Sequence, residues 1–338
     1  MNGVRSASPR TVRGSTVRRA AALLTTLALA TGCGAAGAQG SPETGDGAGK
    51  GAPHLTIGMV SHSGDGDTFW DIVQNGAERA AAKDHVKFLY AHDKEGAQQA
   101  ALIQSYIDQK VDGLIVTLAK PEAVRAAVRK AVAHGIPVVT INSGGEFSRA
   151  YGALAHIGQD ESVAGRAVGD ELNRRHAKKV LCVVHEQGNV SLEDRCAGVR
   201  KAFRGTLENL DVDGTNAPAS QSSIEAKLQA DASLDTIVTL GAPMAAISVK
   251  AREQAGSSAK IATFDLNSAV VKLLKAKDVT FAVDQQPYLQ GYEAVDLLWL
   301  HRTNADVLGG GKPVLTGPAL VTAKDVPKLT EYTGRGTR

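Results

Sequence analysis

Short apolar runs alternating with segments of helical period set the strongest limit on what this chain can become. Residues 55–60 are mostly apolar and end in a polar, glycine-rich turn; Ile72, Val73, Gly76, Ala77 and Ala80 then recur at helical spacing. A buried strand, a loop and an amphipathic helix, in that order, are the first half of a βα unit. The alternation continues with strands expected over 86–91, 111–118 and 136–141. Between them lie one helix face at Ala100, Ile103, Tyr106 and Ile107 and another, opened by Pro121 at N1, at Val124, Val128, Ala131 and Val132. After a short extended crossing at 153–157 the pattern starts again. Helices are expected over 160–176, 222–232, 267–275 and 287–301, with a further face at Leu192, Cys196, Val199, Phe203 and Leu207 and a helix between 240 and 260. Strands are expected over 179–185, 210–213, 234–240, 260–264 and 279–284, and a last extended piece over 318–322. The expected fold class is α/β, with two successive doubly wound parallel sheets.

A length of 338 residues accommodates two such units. The formal charge of +3 is set by the N-terminus, where Arg5, Arg10, Arg13, Arg18 and Arg19 fall in 32 residues without Asp or Glu. Without those five positives the remainder carries −2 and has no long basic run, so nucleic acid is not an expected partner. The basic stretch is followed by an apolar one at 20–30, about half the length that spans a bilayer, which reads as an export signal over 1–32. Leu29-Ala30-Thr31-Gly32-Cys33 looks like a lipoprotein cleavage box with Cys33 acylated; ordinary signal cleavage nearby is the alternative. Residues 33–53 then form a lipid-anchored flexible tether, rich in Gly, Ala, Ser and Pro. The expected location is the outer face of the cytoplasmic membrane, or the periplasm without the lipid. Export places Cys182 and Cys196 in an oxidising compartment, where they either bond or pack as two small buried residues.

Several catalytic readings fail on the residues. His185-Glu186-Gln187-Gly188-Asn189 starts like a zinc-protease helix but has Asn189 where the second histidine is required. Gly64 and Gly66 fit a dinucleotide loop, yet Phe69 stands in the place of its third glycine. Asp65 and Asp67 begin like a calcium loop, and Phe69 breaks the series. There is no P-loop and no G-x-S-x-G elbow. No catalysis, metal or cofactor is expected. The conspicuous feature is instead Phe69-Trp70, flanked by Asp67 and Asp71, in a chain poor in aromatics, at the carboxyl end of a strand where open α/β sheets bind ligands.

In order along the chain, these motifs resemble the type I periplasmic binding proteins, and more narrowly the ribose, galactose and xylose binders of ABC importers. The resemblance rests on Asp67-Thr68-Phe69-Trp70, Val111-Asp112-Gly113-Leu114-Ile115, Gly135-Ile136-Pro137-Val138-Val139, Ile157-Gly158-Gln159-Asp160, Arg195-Cys196-Ala197-Gly198, Phe264-Asp265 and Gln285-Gln286-Pro287. It implies two lobes, 54–156 with 286–314 and 157–285 with 315–338, joined by a three-strand hinge near residues 156–159, 284–286 and 316. It implies a sugar or polyol held between them, delivery to an ABC transporter permease, and a monomer. The implied ligand contacts are Phe69 and Trp70 as stacking aromatics, with Asp67, Asn142, Arg195, Asp265 and Gln285 on the polar edges. Asp93, Gln159, His185 and Glu186, also at strand ends, are second choices. Five of these seven contacts have a structural alternative: core for the two aromatics, a surface helix for Arg195, a helix cap for Asp265, a plain hinge residue for Gln285. Where relatives carry Asp-Arg this chain has Asn142-Ser143, and where they carry Asn-Asp it has Gly241-Ala242, so the particular sugar stays open. Rival readings are a module presenting an autoinducer-type furanose to a receptor or kinase, a repressor, which lacks its helix-turn-helix here, and an enzyme on the same fold.

Overall fold

The computed structural model describes residues 54–64 and 66–338. The export signal, the tether, Cys33 and Asp65 lie outside the described residues.

The first stretch of chain runs β1 (Thr56–Ser61), α1 (Thr68–Lys83), β2 (Lys87–His92), α2 (Gly96–Asp108), β3 (Gly113–Val116), α3 (Pro121–Ala133), β4 (Val138–Ile141), α4 (Gly145–Ser148) and β5 (Ala155–Gly158). The second runs α5 (Glu161–Arg174), β6 (Lys179–Val184), α6 (Val190–Ala202), β7 (Thr206–Asp211), α7 (Ala217–Ala230), β8 (Thr236–Thr239), α8 (Ala242–Gln254), β9 (Lys260–Phe264), α9 (Ser268–Ala276) and β10 (Val279–Asp284). The chain ends with α10 (Pro287–Asn304), β11 (Val314–Leu315), β12 (Ala319–Val321) and α11 (Val326–Gly334). Two six-stranded sheets result, in the orders β11-β5-β4-β3-β1-β2 and β12-β10-β9-β8-β6-β7. All pairings are parallel except that of β12.

Strands buried on both faces explain why the runs are apolar throughout rather than alternating. Ile57 and Met59 pack with α1 and α10, while Val60 packs with α2 and α3 on the opposite face. The second sheet is covered likewise, by α5 and α6 on one face and by α7, α8 and α9 on the other. Helix α10 therefore returns to the first sheet from far along the chain. It crosses α1 where Gly76 faces the Tyr288 carbonyl and Gly291 faces the Val73 carbonyl; a Cβ at either would collide with backbone. The chain passes between the sheets three times: after β5, after β10, and between β11 and β12.

The structure corrects several boundaries. Extended pieces at 153–157 and 314–315 join the first sheet as β5 and β11, giving it six strands. Phe203 and Leu207 do not continue the α6 face. Phe203 is already extended, the Thr206 N–H donates to the Lys178 carbonyl, and Leu207 pairs beside Val180 in β7. A spacing of four fits a helix and also a break followed by a strand, which is why the pattern misled. Helix α11 carries only a few buried residues, Val326, Leu329 and Thr333, and gave little periodic signal.

Cys182 on β6 and Cys196 on α6 are joined by a disulfide, with Cα atoms 6.2 Å apart and both residues fully buried. The bond ties α6 to its sheet one residue from Arg195. Replacing both cysteines with alanine is expected to lower the free energy of unfolding by about 2–4 kcal/mol, since the cross-link restrains the unfolded chain. Urea unfolding measures this, and a variant within about 0.5 kcal/mol of the parent would show the bond to be energetically silent.

Candidate ligand-binding site

The carboxyl ends of both sheets border one cavity of about 190 Å³. His62 follows β1, Asn142 follows β4, His185 follows β6, Gly241 follows β8, Asp265 follows β9 and Gln285 follows β10, and all of them line it. This is where parallel α/β sheets leave room for ligands. The lobes are in contact across the cleft. The Val190 N–H donates to the Ala119 carbonyl at 3.1 Å, Asn189 Nδ2 lies 3.3 Å from His62 Nε2, and Asn267 Nδ2 donates to Thr68 Oγ1 at 3.3 Å.

One wall is the first turn of α1. Asp67 caps the helix, its Oδ1 accepting from the Phe69 N–H at 3.0 Å, and this fixes Phe69 and Trp70 at the cavity edge. Both rings are buried in the core of the first sheet and also line the cavity. Trp70 is edge-on to His62 and to Phe69, with centroids 5.0 and 5.2 Å apart. His62 is held by Thr117, which lies 2.8 Å from its Nδ1 and accepts its backbone N–H at 3.0 Å.

The opposite wall is α6. Gly165 and Gly198 let α5 and α6 approach to backbone contact, which brings Glu161 to Arg195. Arg195 is 3% exposed, so it is not a surface residue. Its Nε and Nη2 donate to the two Glu161 carboxylate oxygens at 2.7 and 2.8 Å, and its Nη1 to the Leu240 carbonyl at 2.7 Å. The guanidinium lies 4.7 Å from the Phe264 ring centroid. Arginine has five N–H donors, and three are engaged here.

A chain of amides closes the hinge side. Gln285 Nε2 donates to Asp265 Oδ1 at 2.6 Å, Asn142 Nδ2 to Gln285 Oε1 at 3.0 Å, and Ser143 Oγ to Asn142 Oδ1 at 2.8 Å. Asn142 and Asp265 both adopt left-handed backbone, at φ 63° and 68°, which Asn and Asp tolerate better than most residues. Asp265 does not cap the following helix; Asn267 does, accepting from the Val270 N–H at 2.8 Å. Burial pushes the Asp265 carboxyl up to about 7, against the pull of Arg195 and Gln285. Burial likewise raises Asp67 to about 6.

Of the second choices, His185 and Glu186 line the cavity. Asp93 does not: its carboxylate accepts from the Glu95 N–H at 2.8 Å and forms a local turn. Gln159 stands on a separate cavity and donates to Glu161 at 2.8 Å. The His185 ring occupies the room left by Gly241, where an added Cβ would stand 3.0 Å from its Cε1. His62, Lys94, Asn189 and Ser191 also line the cavity and were not singled out as ligand contacts from the sequence. Asn189, which broke the zinc-protease pattern, caps α6 and donates to Glu186 Oε2 at 2.8 Å. His62 directly follows a buried strand, the same signal that marks Asn142 and Asp265.

The fold, with its cleft between two doubly wound sheets, is that of the type I periplasmic binding proteins. A family profile described as periplasmic binding protein domain matches residues 57–305, and the chain belongs to this family. It is similar to a carbohydrate transporter of Acidothermus cellulolyticus 11B solved in complex with myo-inositol. That protein is 48% identical, with a TM-score of 0.84 over 85% of this chain and 100% of the other. The ribose import binding protein RbsB of Bacillus subtilis (strain 168) is 24% identical over 249 residues, 72% of this chain and 80% of its own length. A solute-binding protein of an ABC transporter from Burkholderia graminis C4D1M, solved with D-arabinose, shares the fold at 24% identity. Its TM-score is 0.73, over 82% of this chain and 98% of the other.

Proposed function

We propose that this protein is the extracytoplasmic substrate-binding component of an ABC importer, and that its ligand is a small polyhydroxylated ring, a cyclitol such as myo-inositol foremost. The observation that carries the reading is the pairing of the Phe69–Trp70 wall with carboxylates from both lobes, Asp67 on one side and Asp265 and Glu186 on the other. Aromatic rings cover the C–H face of such a ring, and ionised oxygens accept from its hydroxyls in charge-assisted bonds. Carboxylates on two sides suit a ligand that presents hydroxyl donors around its whole rim. The size agrees, because about 190 Å³ falls below the roughly 300–1,000 Å³ of drug-sized pockets and favours a single ring over an oligosaccharide. The 48% identical chain bound to myo-inositol supports the same class.

Binding is coupled to closure: a ligand that touches both lobes favours the closed state by its extra affinity for it. The closed, loaded form is then recognised by a permease. The Leu29 to Cys33 box supports lipid attachment at Cys33, with 33–53 as the tether that lets the lobes reach the membrane. The lobes are 54–156 with 286–314 and 157–285 with 315–338.

The test is a titration of the purified protein with myo-inositol, other cyclitols, pentoses and hexoses, followed by tryptophan fluorescence and thermal shift. Trp70 borders the cavity, whereas Trp299 lies on α10 against the first sheet. A fluorescence change is expected that disappears in Trp70→Phe. Binding of nucleosides or amino acids, with no response to any sugar or polyol, would overturn the assignment.

A further inference from the structure

One contact across the cleft is mismatched. His62 follows β1 in the first lobe and Asn189 caps α6 in the second; both line the ligand cavity and both are buried. Asn189 Nδ2 stands 3.3 Å from His62 Nε2. The partners on each side of the cleft decide which of these atoms carry protons.

On the first-lobe side the network closes around Thr117, which follows β3 and is fully buried. Gln99 of α2 donates from Nε2 to the Thr117 carbonyl at 2.9 Å and to Thr117 Oγ1 at 3.0 Å. The carbonyl fixes the orientation of this amide, since the Gln99 oxygen turned toward it would meet a second acceptor. The His62 backbone N–H donates to the same hydroxyl at 3.0 Å. Both lone pairs of Thr117 Oγ1 are then used, so its one proton goes to His62 Nδ1, 2.8 Å away. Burial lowers the His62 pKa and keeps the ring neutral. A neutral ring that accepts at Nδ1 carries its own proton on Nε2.

On the second-lobe side Asn189 is fixed just as firmly. Its Oδ1 accepts from the Ser191 N–H at 3.0 Å, and its Nδ2 donates to Glu186 Oε2 at 2.8 Å. Turned over, the amide would set its oxygen against the Glu186 carboxylate and leave the Ser191 N–H without this acceptor. Its second N–H is thus directed at His62. Two N–H donors, one from each lobe, face each other at 3.3 Å.

We propose that His62 Nε2 and Asn189 Nδ2 form a two-donor seat for one oxygen of the ligand, and that this oxygen joins the lobes at this point. An oxygen at the usual distance of about 2.9 Å from both nitrogens fits on a base of 3.3 Å. Without it the facing donors oppose closure; with it each makes a hydrogen bond, so the seat couples recognition of an acceptor to closing. The carboxylates of Asp67, Asp265 and Glu186 require hydroxyl donors of the ligand, whereas this seat requires an acceptor. A hydroxyl serves as either, and an ammonium or apolar substituent does not, so the seat selects an oxygen at one defined position of the ring. The inference rests on the reading of the ligand as a polyhydroxylated ring and adds two specificity-determining residues to it.

The experiment has two arms. In ligand-free protein labelled with the heavy nitrogen isotope, long-range proton–nitrogen correlation spectra read the tautomer of each histidine ring, and the His62 signals are those lost in His62→Phe. A ring protonated on Nε2 is expected. A ring protonated on Nδ1 overturns the proposal, because Nε2 would then accept from Asn189 directly. In the second arm myo-inositol and its monodeoxy analogues are titrated into the parent and into His62→Phe and Asn189→Ser. The phenylalanine keeps an aromatic ring beside Trp70, and the serine keeps a cap for α6. Each substitution is expected to weaken myo-inositol binding roughly 3- to 10-fold, the loss of one neutral hydrogen bond. For the analogue that lacks the seated hydroxyl, neither substitution costs further affinity. Equal losses for myo-inositol and every analogue, or no loss at all, overturn the proposal. The tautomer arm needs no ligand, so failure of every cyclitol to bind would sink the cyclitol reading while the tautomer still decides the seat.

Discussion

Replacing Arg195 with glutamine is expected to destabilise the protein by about 3–5 kcal/mol, the range for breaking a buried ion pair by removing one partner. The guanidinium makes two bonds to Glu161 and one to the Leu240 carbonyl, and both charged residues are less than a tenth exposed. Without it, Glu161 keeps only the Gln159 amide and is left as a buried charge. Much of the loss reflects that stranded carboxylate, so a second change identifies the cause. An Arg195→Met, Glu161→Leu double variant is expected to recover most of the stability, because an apolar pair of similar volume replaces an ion pair with little net change. It should still bind ligand poorly, since Arg195 lines the cavity and its two unengaged N–H groups are gone. Urea unfolding with a ligand titration separates the two effects. A single variant within about 1 kcal/mol of the parent would show that Arg195 does not hold α5 and α6 together.

The Asp265→Asn substitution is expected to act in opposite directions on stability and on binding. The asparagine keeps the left-handed backbone and an oxygen for Gln285 Nε2, so local geometry survives. It removes a carboxylate that burial disfavours. In the unliganded parent the raised carboxyl contributes stability that is complete below its unfolded value near 3.8 and is lost as pH climbs through about 7. The variant should therefore be at least as stable as the parent at pH 8, and its stability should lose part of its pH dependence. Ligand hydroxyls donate to the ionised form, so binding lowers the Asp265 pKa and releases a proton. Affinity of the parent is accordingly expected to rise with pH up to about 7 and to level off above it, with Asp67 adding a smaller limb near 6. Hydrogen bonds to charged groups contribute about 1.5–3 kcal/mol, so the variant is expected to bind roughly 10- to 100-fold more weakly at pH 8. Calorimetry in buffers of different ionisation enthalpy reads the proton release directly. Unchanged affinity, or affinity that falls as pH rises from 5 to 7, would remove Asp265 from the ligand contacts.

The positions of the strands were largely legible because a strand covered by helices on both faces has to be apolar along its length, as at Ile57, Leu114, Val139 and Val180. The residues that follow those strands were legible as candidates for a related reason. The carboxyl ends of a parallel sheet all open on one side, so His185, Asp265 and Gln285 of the second sheet had to share a face, and only the tertiary structure turns that face toward Asn142 of the first sheet. Helix ends were less so: a four-residue spacing carried Phe203 and Leu207 into a helix that stops at Ala202. Asp93 shows the limit of the strand-end signal, since β2 is an edge strand and its end lies off the cavity.

The sequence by itself determined a twice-repeated βα pattern and the strand-end residues of a ligand cleft, because both follow from local periodicity and the direction of parallel strands. Only the tertiary structure decided how those residues are partnered. It clamps Arg195 on Glu161, joins Asp265, Gln285 and Asn142 into one hydrogen-bonded chain, sets His185 into the space of Gly241, and places His156 and Gln159 on a second cavity. Those contacts join residues up to 143 positions apart, and hydrogen bonds and burial at that separation leave no periodic trace along the chain.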